Sequence, residues 1–202
     1  MRHRLAAVVM LMFFGADWLA AGPPIKIVAQ WSAPEGAGKH FDKILAIGIA
    51  DDRELRHRFE DKLVSHLRGK DIAAVTSYPL VPDLLAPGSR EEIFRKIEAE
   101  KIDAAITFRL VPLDGRDETG WDAEWKRDAE GGGTLRELIA ATLPMKPTKA
   151  KRYGVEVTLW YNEPPARLWS GRTATHSRKE LRDGVGDLIQ DVIQALQDSH
   201  KI

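Results

Sequence analysis

The sequence predicts an α/β fold of two or three layers, built on a mixed sheet of about five strands. Three observations favour this fold class. Between residues 41 and 110, apolar strand-like runs alternate with amphipathic helical stretches, which is typical of a βαβαβ unit with a parallel core. Two more strand-like runs then surround a proline-rich turn, and an amphipathic helix follows them. A chain of 202 residues, 44% of them hydrophobic, suits one such domain.

The first half of the domain contains the βαβαβ unit. Residues 25–31 are predicted as a short edge strand, and the continuous apolar run 44–50 as a strand buried on both faces. The helix that follows has a buried stripe with a four-residue spacing, formed by Leu55, Phe59, Leu63 and Leu67. Residues 72–78 are predicted as the second core strand and residues 103–110 as the third.

Four helix starts show the spacing of a capping box, in which an Asp, Ser or Thr precedes a Glu by three residues. They are Asp51 with Glu54, Ser89 with Glu92, Thr134 with Glu137, and Ser177 with Glu180. The last of them begins the C-terminal helix, which follows a hairpin predicted from residues 155–161 and 167–175.

The hydrophobic pattern indicates a single α/β domain at residues 41–202, preceded by an N-terminal extension at 22–40. An insertion, residues 114–153, interrupts the domain, and in it an acidic segment is followed by a basic one. Segments of opposite charge can fold back on each other, which is the simplest interpretation of this insertion.

Residues 1–21 are predicted to be a secretory signal peptide, because two arginines precede the apolar run 5–14 and small residues follow it. The run is too short to span a bilayer, which needs about 20 apolar residues. The alternative is a buried N-terminal helix. Residues 19–22 resemble a bacterial lipobox in which Gly22 stands where the lipid-bearing cysteine would be. We therefore expect a periplasmic or secreted protein without a lipid anchor.

Composition and motifs argue against several function classes. Lys+Arg and Asp+Glu both number 30, so the strongly basic surface of a nucleic-acid binder is not expected. The absence of cysteine excludes disulfides, thiolate metal sites and a cysteine nucleophile. His57 and His66 lie on one helix but not at the i, i+4 spacing of metal ligands. Residues 33–39 resemble a P-loop but lack its hydroxyl residue and the helix after it. No metal and no cofactor is expected.

Four polar residues, Asp51, Ser77, Tyr78 and Arg109, follow or end the three core strands. Ligands of parallel α/β sheets bind at the carboxyl ends of the strands, so these residues are a candidate ligand edge. The alternative is a structural role, in which Asp51 caps the helix that follows it.

The insertion contains a candidate interaction pair, Trp121 and Trp125. The two residues are four positions apart in an acidic segment, so one turn of helix would place both rings on one face. Exposed indoles would favour a protein or glycan contact. The alternative is that they cover the edge of the sheet, since burial of a tryptophan is strongly stabilising.

Five segments together resemble a family of uncharacterised bacterial lipoproteins. They are Phe41–Ile49, the Arg-x-x-x-Glu pattern of Arg56 and Glu60, Ser77–Pro79, Ile102–Ile106 and Leu168–Gly171. That family is similar in fold to the amino-terminal domain of the Tol translocation protein B and to lipoproteins that activate penicillin-binding proteins. The resemblance implies a periplasmic module that contacts envelope proteins and has no enzymatic site, and it assigns no functional residue. This chain departs from the family at Gly22 and in its acidic, Trp-bearing insertion.

The sequence thus favours a non-enzymatic envelope protein that docks protein partners through a sheet edge or through the Trp121–Trp125 insertion. The first alternative is a periplasmic small-ligand binder or enzyme that uses the carboxyl-end edge of the parallel strands. A self-associating structural subunit is the third hypothesis, because the sequence leaves the oligomeric state open. No nucleic-acid partner is expected, and no membrane insertion once the signal peptide is removed.

Overall fold

A computed structural model describes residues 24–34, 38–113, 118–143 and 146–202, and it confirms the predicted α/β fold class. In chain order the elements are β1 (Ile27–Ser32), β2 (Ile44–Ile49), α1 (Arg53–Arg68), β3 (Ala74–Thr76), α2 (Ser89–Ala99), β4 (Ala104–Pro112), α3 (Glu118–Glu130), α4 (Leu135–Thr142), β5 (Tyr153–Asn162), β6 (Pro165–Thr173) and α5 (Arg178–Asp198). The predicted signal peptide, residues 1–21, and Gly22 lie outside the described residues.

The strands of the described chain form one mixed sheet of six, in the order β1-β6-β5-β4-β2-β3. Strands β3, β2 and β4 are parallel to one another, as the βαβαβ pattern predicts. Beyond β4, each of the strands β5, β6 and β1 is antiparallel to the strand before it in the sheet. The sheet has one strand more than the approximate count of five because the segment at 25–31 pairs with β6. Strand β3 is shorter than the predicted 72–78, since the backbone N–H of Tyr78 donates to the carboxylate of Glu60.

One face of the sheet packs against α1 and α5. The predicted stripe of α1 is completely buried in this core, and Phe59 contacts Phe108 of β4 with ring centroids 4.4 Å apart. Burial of one such side chain contributes about 1.5–3 kcal/mol to folding, so the α1 stripe alone is a large part of the stabilisation.

The other face carries two smaller apolar clusters, which makes the fold three-layered. Helices α2 and α4 cover the first of them, where Ile93 and Ile139 meet Trp160 of β5. Helix α3 covers the second, where Trp121 and Trp125 meet the partly buried side chains on the inner face of β1. The insertion is therefore layered onto the sheet, and its two helices form separate covers.

Strand β1 is fastened to the fold by a few specific contacts. Ile25, just before it, is buried against Gly184 of α5, where an added Cβ would lie 2.7 Å from the Ile25 Cγ1. The backbone N–H of Ile27 donates to the Asp191 carboxylate at 2.6 Å. After the strand, the buried Lys201 donates to the carbonyl oxygen of Ala33 at 2.7 Å. These contacts fix the strand as the edge of the sheet next to α5.

The predicted helix starts at Thr134 and Ser177 are confirmed, and each has a capping box. The capping boxes predicted at Asp51 and Ser89 are wrong. Helix α1 begins at Arg53, so Asp52 is its cap and accepts from the N–H of Leu55. Asp51 lies one residue too early, and both aspartates also accept from arginines of α5. Helix α2 has Gly88 at its N-cap and no side-chain cap, since the buried Ser89 hydroxyl donates to a backbone carbonyl before the helix.

Removal of the Ser177 hydroxyl tests the cap of α5. The Ser177→Ala variant leaves one N–H of the first turn without its partner, so its free energy of unfolding should fall by about 1 kcal/mol. Urea denaturation measures this change. The Ser177→Thr variant keeps the hydroxyl and should remain close to the parent protein. Equal stability of the alanine variant and the parent would contradict the capping role.

Candidate functional site

Asp51, the first residue of the candidate ligand edge, is part of an ion pair at the start of α5. Its two carboxylate oxygens accept from Nη2 of Arg178 at 2.7 and 2.9 Å, and one of them also accepts from the backbone N–H of Thr148 at 2.7 Å. Burial alone would lower the pKa of Arg178, but its hydrogen bonds with Asp51 and Tyr153 raise that pKa above its ordinary value. Asp51 therefore joins the end of β2 to α5 and to the end of the insertion.

Ser77 lies in a buried network around the ion pair of Arg56 and Glu60. Glu60 is completely buried and Arg56 is 3% exposed, and the Arg56 Nε donates to the Glu60 carboxylate at 2.9 Å. The same carboxylate accepts from the backbone N–H groups of Gly48, Ser77 and Tyr78 and from the Ser77 hydroxyl. Arg56 also donates to the Ser77 hydroxyl and to two backbone carbonyls of the loop after β3. The network is saturated from within the fold.

Tyr78 contacts the exposed side of α1. Its hydroxyl donates to the Asp61 carboxylate at 2.9 Å, and its ring lies against His57 with centroids 4.1 Å apart. The hydrogen bond to Asp61, and to a smaller degree burial, raise the pKa of Tyr78 above its ordinary value. This phenol remains protonated at neutral pH and serves as a donor within the fold.

Arg109 belongs to a charged row that crosses the sheet under α3. Arg109, Glu156 and Arg172 are direct cross-strand neighbours on β4, β5 and β6. Arg109 pairs with the Glu156 carboxylate at 2.5 Å, and Arg172 pairs with Asp122 of α3. The four residues of the candidate ligand edge are thus divided among three partner sets, and the structure does not bring them into one site.

Trp121 and Trp125 are buried, with exposed fractions of 1% and 6%. Trp121 lies directly on the sheet at Gly154, where an added Cβ would be 2.5 Å from the indole Cε2. This matches the alternative in which the indoles cover the sheet, and it corrects the hypothesis of an exposed interaction pair. Gly154 on the facing strand is the sequence signal that would have indicated the packing.

The described residues contain a large groove that the sequence did not predict. It has a volume of about 1180 Å³ and lies between α2, α4 and the β5–β6 turn. Apolar residues such as Phe94, Ile97 and Leu135 line it, together with charges of both signs such as Arg95 and Glu98. The groove lies at the amino end of β4, opposite the candidate ligand edge, and helices far apart in the chain form it.

The two edges of the sheet differ in how far they are covered. Strand β3 has three residues, and the carbonyl of Ala74 accepts from Nε and Nη2 of Arg68 at 3.0 and 2.7 Å. Because the backbone groups of residues 73 and 77 bond to β2, the Ala74 carbonyl points outward, so Arg68 caps that edge. Strand β1 has six residues, and within the described ranges β6 is its one partner strand.

Strand β1 combines an unpaired edge with exposed side chains. Its residues alternate between half-buried and exposed, and Val28 is 55% exposed, a high value for a large hydrophobic side chain. A shallow groove of about 380 Å³ separates the strand from α5, lined by Ile27–Gln30, Asp191, Gln194, Ala195 and Asp198. The strand contains no charged residue and no proline, the residues with which proteins usually block such edges.

The described ranges contain neither a membrane-spanning helix nor a metal-binding cluster. No helix there is both long and apolar enough to cross a bilayer. No group of three or more His, Asp and Glu side chains in that part of the chain is placed to hold a metal ion. His66, on α1, donates from its ring to the Lys62 carbonyl at 2.9 Å.

No protein-family model matches the chain, and no curated protein matches it. Two similar solved structures are of the PelC dodecamer from Paraburkholderia phytofirmans, the first of a single-residue variant. They share 18% and 16% identity with this chain, cover 84% of it and 96% and 95% of their own chains, and superpose with TM-scores of 0.43 and 0.44. Similarity at this level carries no argument about function, so the proposals below are based on the geometry of this chain.

Two Arg–Glu pairs on α1 provide a matched test of the buried network. Glu60→Ala leaves the buried Arg56 without its carboxylate and should lower the free energy of unfolding by about 3–5 kcal/mol. Glu54→Ala removes the exposed partner of Arg58 on the same helix and should cost no more than about 0.5 kcal/mol. Chemical denaturation measures both variants. Similar small losses in the two proteins would show that the buried pair does not hold α1 in place.

Proposed function

We propose that the chain is a non-enzymatic exported envelope protein that docks protein partners through the free edge of its sheet at β1. The observation that carries this proposal is the contrast between the edge at β3, which Arg68 caps, and the uncharged edge at β1, with which no further strand of the described residues pairs. The signal peptide predicted at residues 1–21 and the resemblance to the lipoprotein family favour the envelope location.

Docking at β1 follows from the backbone chemistry of an edge strand. Every second residue of β1 directs its N–H and C=O groups away from β6, and an extended partner segment can pair with them. The exposed side chains Val28 and Gln30 lie beside that row of backbone groups and would contact the partner's side chains. The register shift between Ile27 and Ala29 is confined to the start of the strand, so the rest remains regular.

The ionic networks support a role without catalysis. Asp51, Ser77 and Arg109 are each engaged by a partner inside the fold, so none of them is presented together with the others to a substrate. The alternative of a small-ligand binder or enzyme would instead depend on the groove between α2 and α4, whose volume of about 1180 Å³ lies above the range of about 300–1,000 Å³ that is typical of small-molecule sites.

A photocrosslinking amino acid at position 30 tests docking at β1 in cells that produce the protein naturally. Because Gln30 is exposed on the edge strand, irradiation should give a discrete adduct with another envelope protein, identified by mass spectrometry. The matched control carries the same amino acid at Lys62, which is exposed on α1. It should give no such adduct.

Three outcomes decide between the hypotheses. An adduct from position 30 alone supports docking at the edge of β1. An adduct with a second copy of the chain supports the self-associating subunit instead. Adducts of equal yield from both positions, or none from either, would contradict the proposal.

A further inference from the structure

We infer that the partner segment is basic and lies extended between β1 and an acidic face of α5. This inference rests on the proposed docking at β1 and names the chemistry of the occupant. It depends on where α5 places its carboxylates relative to the groove beside the strand.

The second half of α5 presents three carboxylates on one face. Asp187, Asp191 and Asp198 fall within about 40° of one another around the helix axis, at about 100° per residue. Asp191 and Asp198 line the groove beside β1, and Asp187 lies one turn before them on the same face. Residues 183–199 contain no lysine and no arginine, so the face is uniformly negative.

The charge of these carboxylates is not neutralised within the helix that carries them. Asp198 lies in the last turn of α5, where the helix dipole disfavours negative charge by about 0.3–1 kcal/mol, and that turn contains no basic residue. In the described ranges, Asp191 accepts the N–H of Ile27 and Asp198 accepts the amide of Gln194, and neither forms an ion pair. By contrast, Asp183 at the start of the helix is paired with Lys179.

The dimensions of the face match an extended segment on the strand. Six residues of β1 extend over about 20 Å, and the axis from Asp187 to Asp198 over about 16 Å. A strand paired with β1 would direct every second side chain toward the α5 side, where lysine or arginine would meet these carboxylates. Backbone pairing alone does not distinguish one partner sequence from another. The complementary charges would add that specificity.

A second copy of this chain fits the edge less well. Pairing of β1 with β1 would bring two uncharged strands together and place the acidic faces of two α5 helices beside the same edge. Like charges at an interface are repulsive, so the face favours a basic partner over self-association.

Fluorescence anisotropy with labelled peptides tests the inference on the purified protein. The probe is a peptide of about eight residues that alternates valine with lysine, a length that spans a typical strand. The matched peptides carry serine or glutamate in place of lysine. The lysine peptide should bind about tenfold more tightly than the serine peptide and weaken as salt is added, since salt screens charges at the surface.

The variant Asp187→Asn/Asp198→Asn removes two exposed carboxylates from the α5 face and should lose most of that tenfold preference. Glu91→Gln/Glu98→Gln removes two exposed carboxylates from α2, on the other face of the sheet, and should bind as the parent does. Asp191→Asn, which retains an acceptor for Ile27, should show a smaller loss. Thermal unfolding confirms that each variant is folded.

The outcomes separate this inference from the docking proposal. Equal binding of the lysine and serine peptides, or an unchanged preference in the α5 variant, would overturn the acidic-face inference and leave docking at β1 intact. If the α2 control loses the preference for the lysine peptide to the same degree, the preference reflects the net charge of the protein and not the α5 face, and the inference is overturned. Failure of every peptide to bind, together with no adduct from position 30, would reject docking at β1 itself.

Discussion

The buried pair of Arg56 and Glu60 is the interaction on which the rest of the structure depends. Its carboxylate accepts the N–H of Gly48 in β2 and those of Ser77 and Tyr78 after β3, so one side chain of α1 fixes where two parallel strands end. Gly48 makes the arrangement possible, because an added Cβ would lie 2.7 Å from the Arg56 Cγ. A buried pair is costly to break, and this one positions α1 on the sheet.

The acidic side chains of the described residues fall into an interior group and a surface group. Three acidic side chains are buried by the sheet and its helix ends, and each forms an ion pair with an arginine. They are Glu60, Asp51 and Glu156. The acidic face of α5 differs, since Asp191 and Asp198 lie beside β1 and no ion pair to them is formed within the described residues. The interior charges hold the scaffold together, and the proposed docking would use the carboxylates of the α5 face.

Hydrophobic periodicity predicted the order of the elements, because the buried stripe of α1 and the apolar run of β2 are local patterns. The partners of the candidate site residues could not be predicted in this way, because they lie far away in the chain. Asp51 and Asp52 both suit a helix cap, and both pair with arginines of α5, 127 and 130 residues away in the chain, which no local pattern contains. Likewise, the burial of Trp121 of α3 requires Gly154 of β5, whose missing side chain leaves room for the indole. The sequence predicted an edge strand at residues 25–31, but the strand beside it, β6, was known only from the strand order.

Residue-resolved amide hydrogen exchange on the free, dilute protein tests most directly whether the edge of β1 is uncovered. The account predicts a period of two along residues 28–32, in which amides that donate to β6 are protected and the intervening, outward-directed amides exchange at nearly unprotected rates. Uniform protection along the strand would mean that another part of the chain already covers this edge, which would contradict the account.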